Sequence, residues 1–406
     1  MGDELFNTLV DGLNQEPPTS IRINPFKAKG ARVADDDLLK PVAWCQNGYY
    51  LKSRPNFTFD PLLHAGIYYV QEASSMFLDH VLRTLVHEPV RMLDLCAAPG
   101  GKTTCAMSAL PEGSTMFCNE PMKLRAQILS ENIQKFGVPG ITVTNNYAED
   151  YKKSRMCFDV ILTDVPCSGE GMFRKDEGAI GEWSTANVKK CWQLQREIVS
   201  DIWNCLKPGG ILIYSTCTFN AHEDEENVAW IAQELGADFV EIPVEKEWNI
   251  TGSLIDDNPV YRFIPGKTQG EGIFMAVLRK HADGESFEGN KKQGGGLRIL
   301  LDGIKPDTIK GKNRIPDHSK ALSTQPDKEE YPAVEVSYEQ AIQYLRKEAI
   351  TLDGDAPKGI VRITYRKQTI GFAKNLGNRA NNLYPQEWKI KSSHVPEDHH
   401  ELIILE

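Results

Sequence analysis

From residue 90 onward the chain alternates between short runs dense in apolar, β-branched and aromatic residues and longer stretches of helical period. The runs are "VRMLDL" at 90–95, "STMFCNE" at 114–120, "GITVTN" at 140–145, "FDVILTD" at 158–164 and "GILIYSTC" at 210–217. Segments 121–137 and 184–210 between them read as helices, the second closing on Lys-Pro-Gly-Gly, a helix stop that leads straight into a strand. Two more candidate strands follow, "ADFVEIPV" and "GIFMAVLRK". Strands alternating with helices predict an α/β fold, a mostly parallel sheet covered on both faces. Ligands in such sheets lie beyond the carboxyl ends of the strands, near the point where strand order reverses.

The flanks read differently. Upstream, "TSIRINPFKA" and "VAWCQNGYYLKS" suggest strands of a small unit, and "HAGIYYVQEASSMFLDHVLRTL" leads by a helix into the sheet. Residues 281–330 are rich in Gly, Lys, Asp and Pro with little periodicity, as in a linker or insert. Beyond them, "YPAVEVSYEQAIQYLRKEAI" and "GIVRITYRKQTIGFAKN" predict a helix and a hairpin in a compact terminal domain. The expected division is a small N-terminal unit at 1–60, the sheet domain at 61–280, the linker or insert at 281–330 and a terminal domain at 331–406.

Composition narrows the class. The 406 residues are 41% hydrophobic, enough for a large core, yet the longest apolar runs are far too short to cross a bilayer. The N-terminus has an early acidic pair and no signal-peptide core, so a soluble cytoplasmic protein is expected. Nine cysteines form no C-x-x-C pair, which argues against a disulfide scaffold or a structural zinc, and no metal site is expected. The net charge of −10 argues at first against a nucleic-acid partner, but residues 291–406 hold 19 Lys and Arg against 16 Asp and Glu. Basic charge with interleaved aromatics in that tail is compatible with an RNA-reading surface and equally with a solvated one.

"MLDLCAAPGGKTT" is a strand, a Pro/Gly loop and a helix start, a geometry that lets a ligand approach backbone NH groups. A Walker A loop would fit Gly101-Lys102-Thr103, but Cys96 occupies its first glycine, and a dinucleotide G-x-G-x-x-G is absent. S-adenosylmethionine needs a carboxylate for its ribose at the end of the next strand, and Glu120 stands there.

Two cysteines end strands on the same side of the sheet, Cys167 in "DVPCSGEG" and Cys217 in "YSTCTFN". Carbon 5 of cytosine is not nucleophilic until a thiolate adds to carbon 6 and turns the ring into an enamine. That chemistry asks for a reactive cysteine, a carboxylate near the ring edge and a second group that helps the adduct collapse. Asp164 is the nearby carboxylate. Cys191 and Cys205, inside a helical stretch, read as inert hydrophobes. The residues alone leave open which strand-end thiol attacks.

"YVQEASSM", "LDLCAAPGGKTT", "DVPCSGEGMFRKD", "LKPGGILIYSTCTFN" and "GEGIFMAVLRK", in this order, resemble the Sun/RsmF-type RNA cytosine-5 methyltransferases. Residues 331–406 resemble the PUA-like RNA-binding domain of the RsmF branch. The resemblance implies a Rossmann-like seven-stranded methyltransferase sheet between a small N-terminal α/β unit and a small PUA-like domain. It implies S-adenosylmethionine as cofactor, held by Cys96, Ala97, Ala98, Pro99, Gly100, Gly101, Lys102, Glu120 and Asp164. It puts the nucleophile at Cys217, the thiol that assists product release at Cys167, and Asp164 beside both cofactor and base. The implied partner is RNA, in the first place ribosomal RNA or the small ribosomal subunit, with neither DNA nor membrane, and a monomer is expected. Two positions depart from the family: Tyr147 stands about where an Asp often lies near the adenine, with Asn146 and Asp150 as substitutes, and Gly266 replaces a histidine. The competing expectations are a transfer RNA substrate, a P-loop NTPase acting on RNA, and a non-catalytic RNA-binding protein.

Overall fold

A computed structural model describes the chain except residues 288–294, 312, 393–394 and 397–399. Its centre is a mixed sheet in which Arg91–Asp94 lies between Thr115–Asn119 and Phe158–Asp164, all parallel. Ile141–Thr144 continues one wing and Leu206–Thr216 the other. The order reverses at Arg91–Asp94, so the ends of that strand and of Phe158–Asp164 frame the ligand crevice. The strands are apolar on both faces because helices cover both: Leu93, Leu162, Leu212 and Ile213 are all fully buried.

Ile273–Lys280 pairs antiparallel with Leu206–Thr216, and Ala237–Phe239 lies on its far side. These complete the seven strands expected from the apolar runs. Two more join them: Val260–Phe263, antiparallel to Ile273–Lys280, and Ile299–Asp302, antiparallel to Ile141–Thr144. The second comes from the stretch expected as linker or insert, where a four-residue strand among Gly, Asp and Lys leaves no periodic signal. Lys-Pro-Gly-Gly also differs from expectation. It sits within Leu206–Thr216, where the pairing slips between Leu206 and Ile211 and Gly209 takes φ +71°, so it bends a strand after the helix has already ended at Ile202.

The N-terminal unit is a four-stranded antiparallel sheet in the order Leu38–Pro41, Gly48–Leu51, Thr19–Ile23, Tyr68–Val70. Residues 331–390 hold a second four-stranded sheet, with the hairpin Gly359–Tyr365 and Gln368–Asn375 at its centre. Its helix Tyr338–Leu345 starts on a reciprocal cap: Ser337 Oγ accepts from Gln340 N at 3.3 Å, and Gln340 Oε1 accepts from Ser337 N at 2.9 Å. The two small sheets share one hydrophobic core, in which Ile21, Phe59 and Tyr68 pack with Ile342, Tyr384 and Ile403. Arg32–Val33 even pairs with Ile403–Ile404 near the end of the chain. Among the described residues no helix is long and apolar enough to cross a membrane.

Candidate active site

The strand Arg91–Asp94 turns through residues 95–100 into the helix Gly101–Ala109. Gly100 has φ +111°, where a side chain is strained, and a Cβ there would come within 3.1 Å of Leu129. Cys96, Ala97, Ala98, Pro99, Gly101, Lys102 and Asp164 line one cleft of about 190 Å³, closed on its other side by Tyr69 and Glu72. Gly100 turns the chain beside them, and Glu120 lies just past the end of the neighbouring strand, buried, accepting from Met122 N at 2.9 Å and paired with Arg125 at 3.2 Å. Lys102 Nζ is bound to Asp164 Oδ2 at 2.9 Å, and is thereby turned away from the role a Walker A lysine plays toward phosphates. Burial lowers the pKa of Lys102, but Asp164 more than compensates and holds it above its ordinary value.

Asp94, which the motif reading passed over, is fully buried beneath this loop. Its Oδ2 accepts from Thr103 Oγ1 at 2.6 Å, while Oδ1 has no partner. Burial, reinforced by the charges of Asp164 and Glu120 and opposed by Thr103 and Lys102, pushes its pKa up to about 7.

The two thiols meet. Ser215 pairs with Asp164 across adjacent parallel strands, so the turns that follow run side by side and bring Cys167 Sγ to 3.1 Å from Cys217 Sγ. Gly171 N donates to Cys217 O at 2.8 Å, and a Cβ on Gly171 would fall 2.5 Å from Gly272 O, so only glycine fits there. Glu170 Oε2 accepts from Phe219 N at 2.8 Å, and the buried Glu223 accepts from Ser168 N at 3.0 Å and Gln195 Nε2 at 2.7 Å. These carboxylates hold the two turns together, and the sequence reading missed them because polar residues in turns carry no periodic signal.

Within the pair the pKa of Cys217 is lowered, because the Cys167 thiol donates to it; burial and Asp164 oppose this, and Lys102 assists. Cys167 is raised by the same bond and by burial. The thiolate is thus favoured on Cys217 relative to Cys167. By contrast, burial pushes Cys191 up to about 11 and Cys205 up to about 12, which keeps them as thiols. Elsewhere Cys45, Asp79 and Cys105, all buried, bring their ligand atoms within 4.8 Å of one another, a grouping able to hold a metal ion that their wide sequence spacing conceals.

Three family models match successive parts of the chain. Residues 1–73 match the N-terminal domain of 16S rRNA methyltransferase RsmF, 82–279 match 16S rRNA methyltransferase RsmB/F, and 331–390 match the methyltransferase RsmF PUA domain. The chain belongs to the RsmB/F methyltransferase family. It is therefore an enzyme that uses S-adenosylmethionine, of the ribosomal RNA small subunit methyltransferase F group. It is 28% identical to ribosomal RNA small subunit methyltransferase F of Photobacterium profundum over 91% of this chain and 90% of that one. With the protein of the same name from Enterobacter the figures are 26%, 94% and 92%. Among solved structures, a methyltransferase homolog from Pyrococcus horikoshii matches with TM-score 0.56 at 24% identity, covering 67% of this chain and 90% of that one. NSun6 from Pyrococcus horikoshii, solved with SFG, matches with TM-score 0.56 at 20% identity over 69% and 95%, and both support the fold.

The two departures from the RsmF-type pattern have local explanations. Asn146 spends its side chain on the added strand, accepting from Arg298 N at 3.0 Å and donating to Arg298 O at 3.2 Å. Asp150 caps its own helix through Tyr147 N at 2.9 Å. Gly266 has φ +85°, and a Cβ there would lie 2.3 Å from Thr8 O, so glycine is what lets the N-terminal helix Asp3–Leu13 close on this turn.

The donor set suits a cationic cofactor. Three carboxylates, Asp94, Glu120 and Asp164, face Lys102 and Arg125, and the unpartnered Asp94 Oδ1 lies beneath the loop. A cation selects the ionised form of Asp94, so S-adenosylmethionine binds about tenfold more tightly at pH 8 than at pH 6. Isothermal titration across that range checks it: Asp94→Asn flattens the profile, and a flat profile in the unmodified protein refutes the coupling.

Proposed function

We propose that this protein methylates carbon 5 of a cytidine in small-subunit ribosomal RNA, acting as a cytoplasmic monomer through a covalent adduct on Cys217. The observation that carries the reading is the 3.1 Å approach of Cys167 and Cys217 beside the Lys102–Asp164 pair. Cys217 Sγ bonds to carbon 6, and the electron pair of the 5,6 double bond moves toward ring nitrogen 3, where a proton balances it. Asp164, at the strand end between cleft and thiols, is the group that meets that ring edge. The chemistry S-adenosylmethionine supplies is an electrophilic methyl group, and Cys96–Lys102, Glu120 and Asp164 would hold it. Once carbon 5 is methylated, its hydrogen leaves as a proton and the sulfur–carbon bond breaks, returning the pair to Cys217. Cys167 serves that elimination: with Cys217 bonded to carbon 6 it gives its own proton toward ring nitrogen 3, and the resulting thiolate takes the hydrogen from carbon 5.

Cys167→Ala is the decisive variant. It should accumulate a protein–RNA species that survives denaturing gels, because addition proceeds and release does not. The companion assay uses tritiated S-adenosylmethionine and RNA from cells lacking the gene. Label recovered as 5-methylcytidine in small-subunit ribosomal RNA supports the full reading, and label in transfer RNA keeps the mechanism and changes the substrate. An adduct that accumulates in Cys217→Ala instead reverses the two roles.

A further inference from the structure

A second cleft, of about 520 Å³, opens beside the catalytic turns, between the helix Thr185–Ile202 and residues 220–226. Trp183, Val188, Trp192 and Asn220 lie in its wall, and its volume is that of a small-ligand site. It is continuous with the reacting centre through one carboxylate: Glu170 accepts from Trp183 Nε1 at 2.9 Å and, on its other oxygen, from Phe219 N at 2.8 Å, two residues past Cys217. Asn220 lines the cleft and donates to Thr218 Oγ1 at 3.0 Å.

The indole N–H of Trp192 is buried and has no acceptor. An orphaned buried donor is costly and calls for an explanation, of which a bound group is one. The Trp192 ring is held in place by Arg196, whose guanidinium lies 4.3 Å from its centroid. Lys189 stands in the same wall with no ion pair among the described residues, while Glu226 is engaged by His222 at 2.9 Å. Two tryptophans, an unsatisfied donor and one cation fit an aromatic ring that carries acceptors and a phosphate.

We infer that this cleft holds one unpaired nucleotide of the substrate RNA next to the cytidine, its base against Trp183 and Trp192 and its phosphate toward Lys189. The inference rests on the reading of RNA as substrate. A cytidine drawn out of a stack for attack at carbon 6 leaves its neighbour unstacked, and an aromatic wall beside the thiols gives that base a replacement surface.

The test uses the full chain and a short single-stranded RNA with 2-aminopurine beside a central cytidine. The unmodified protein quenches the probe. Trp192→Phe leaves the thermal midpoint unchanged or higher, since an orphan donor is removed, yet weakens probe binding about three- to tenfold. Trp183→Ala abolishes the quench and weakens binding about tenfold, whereas Trp183→Phe, which keeps a ring but loses the bond to Glu170, restores both. Quenching that is absent in the unmodified protein, or that survives Trp183→Ala with native circular dichroism, overturns the inference. So does a defect seen only on assembled small-subunit particles, which assigns the cleft to a protein side chain. Binding and quenching without any 5-methylcytidine product would sink the reaction proposed above and leave this site standing.

Discussion

Cys217→Ala lowers methyl transfer at least about a thousandfold while S-adenosylmethionine and RNA still bind. The size follows from the chemistry: without a sulfur bonded to carbon 6, carbon 5 stays electron-poor. The small side chain disturbs little, because Cys217 touches the rest of the site mainly through backbone bonds, Gly171 N to its carbonyl and its own N–H to Cys167 Sγ at 3.3 Å. Single-turnover kinetics with labelled cofactor, read beside filter binding of the RNA, separates lost chemistry from lost binding. Turnover within tenfold of the unmodified protein would move the nucleophile to Cys167.

Arg262→Met destabilises the fold by about 3–5 kcal/mol. The Arg262 guanidinium is buried, lies 2.9 Å from Asp224 Oδ2, donates through Nε to Glu225 at 2.9 Å, and reaches Phe219 O at 3.2 Å. Asp224 and Glu225 are fully buried, so removing the cation strands two carboxylates in the core. Burial already raises Asp224 well above its ordinary value, against the pull of Arg262 and Thr216. An acid whose folded pKa exceeds its unfolded one gains stability for the fold as pH falls, so the variant recovers part of its loss between neutral pH and about pH 5. Urea midpoints at both pH values check this. An equal deficit at each would mean the carboxylates find another partner. The variant also loosens the turn after Cys217, since the Phe219 carbonyl loses its donor.

Six of the seven runs were legible because their strands are largely buried on both faces, and a buried strand writes a continuous apolar signature; the edge strand Ala237–Phe239 is only partly covered. The cysteines were legible because each closes such a run. What the sequence could not reveal lies in contacts between distant polar residues. Asn146 and Arg298 stand 152 positions apart, and nothing local marks Asn146 as a clasp for an added strand. Asp94 reads as the last residue of a strand until the fold buries it with one oxygen unpartnered. Glu170 and Glu223 look like turn carboxylates until two loops 50 residues apart close around them. The assignment of Cys217 over Cys167 came from the resemblance alone; the direction of the Cys217 pKa shift agrees with it, and the variants above test it.

The joint core of the two small sheets bears on how the chain is made. During synthesis the N-terminal sheet emerges first, but Ile21, Phe59 and Tyr68 share their core with Ile342, Tyr384 and Ile403, which are translated some 280 residues later by the gap from Phe59 to Ile342. Until then an apolar face waits uncovered, which is the situation chaperones bind. A nascent chain cut short before Ile403–Ile404 leaves Arg32–Val33 without its partner strand, so the damage reaches the N-terminal unit too.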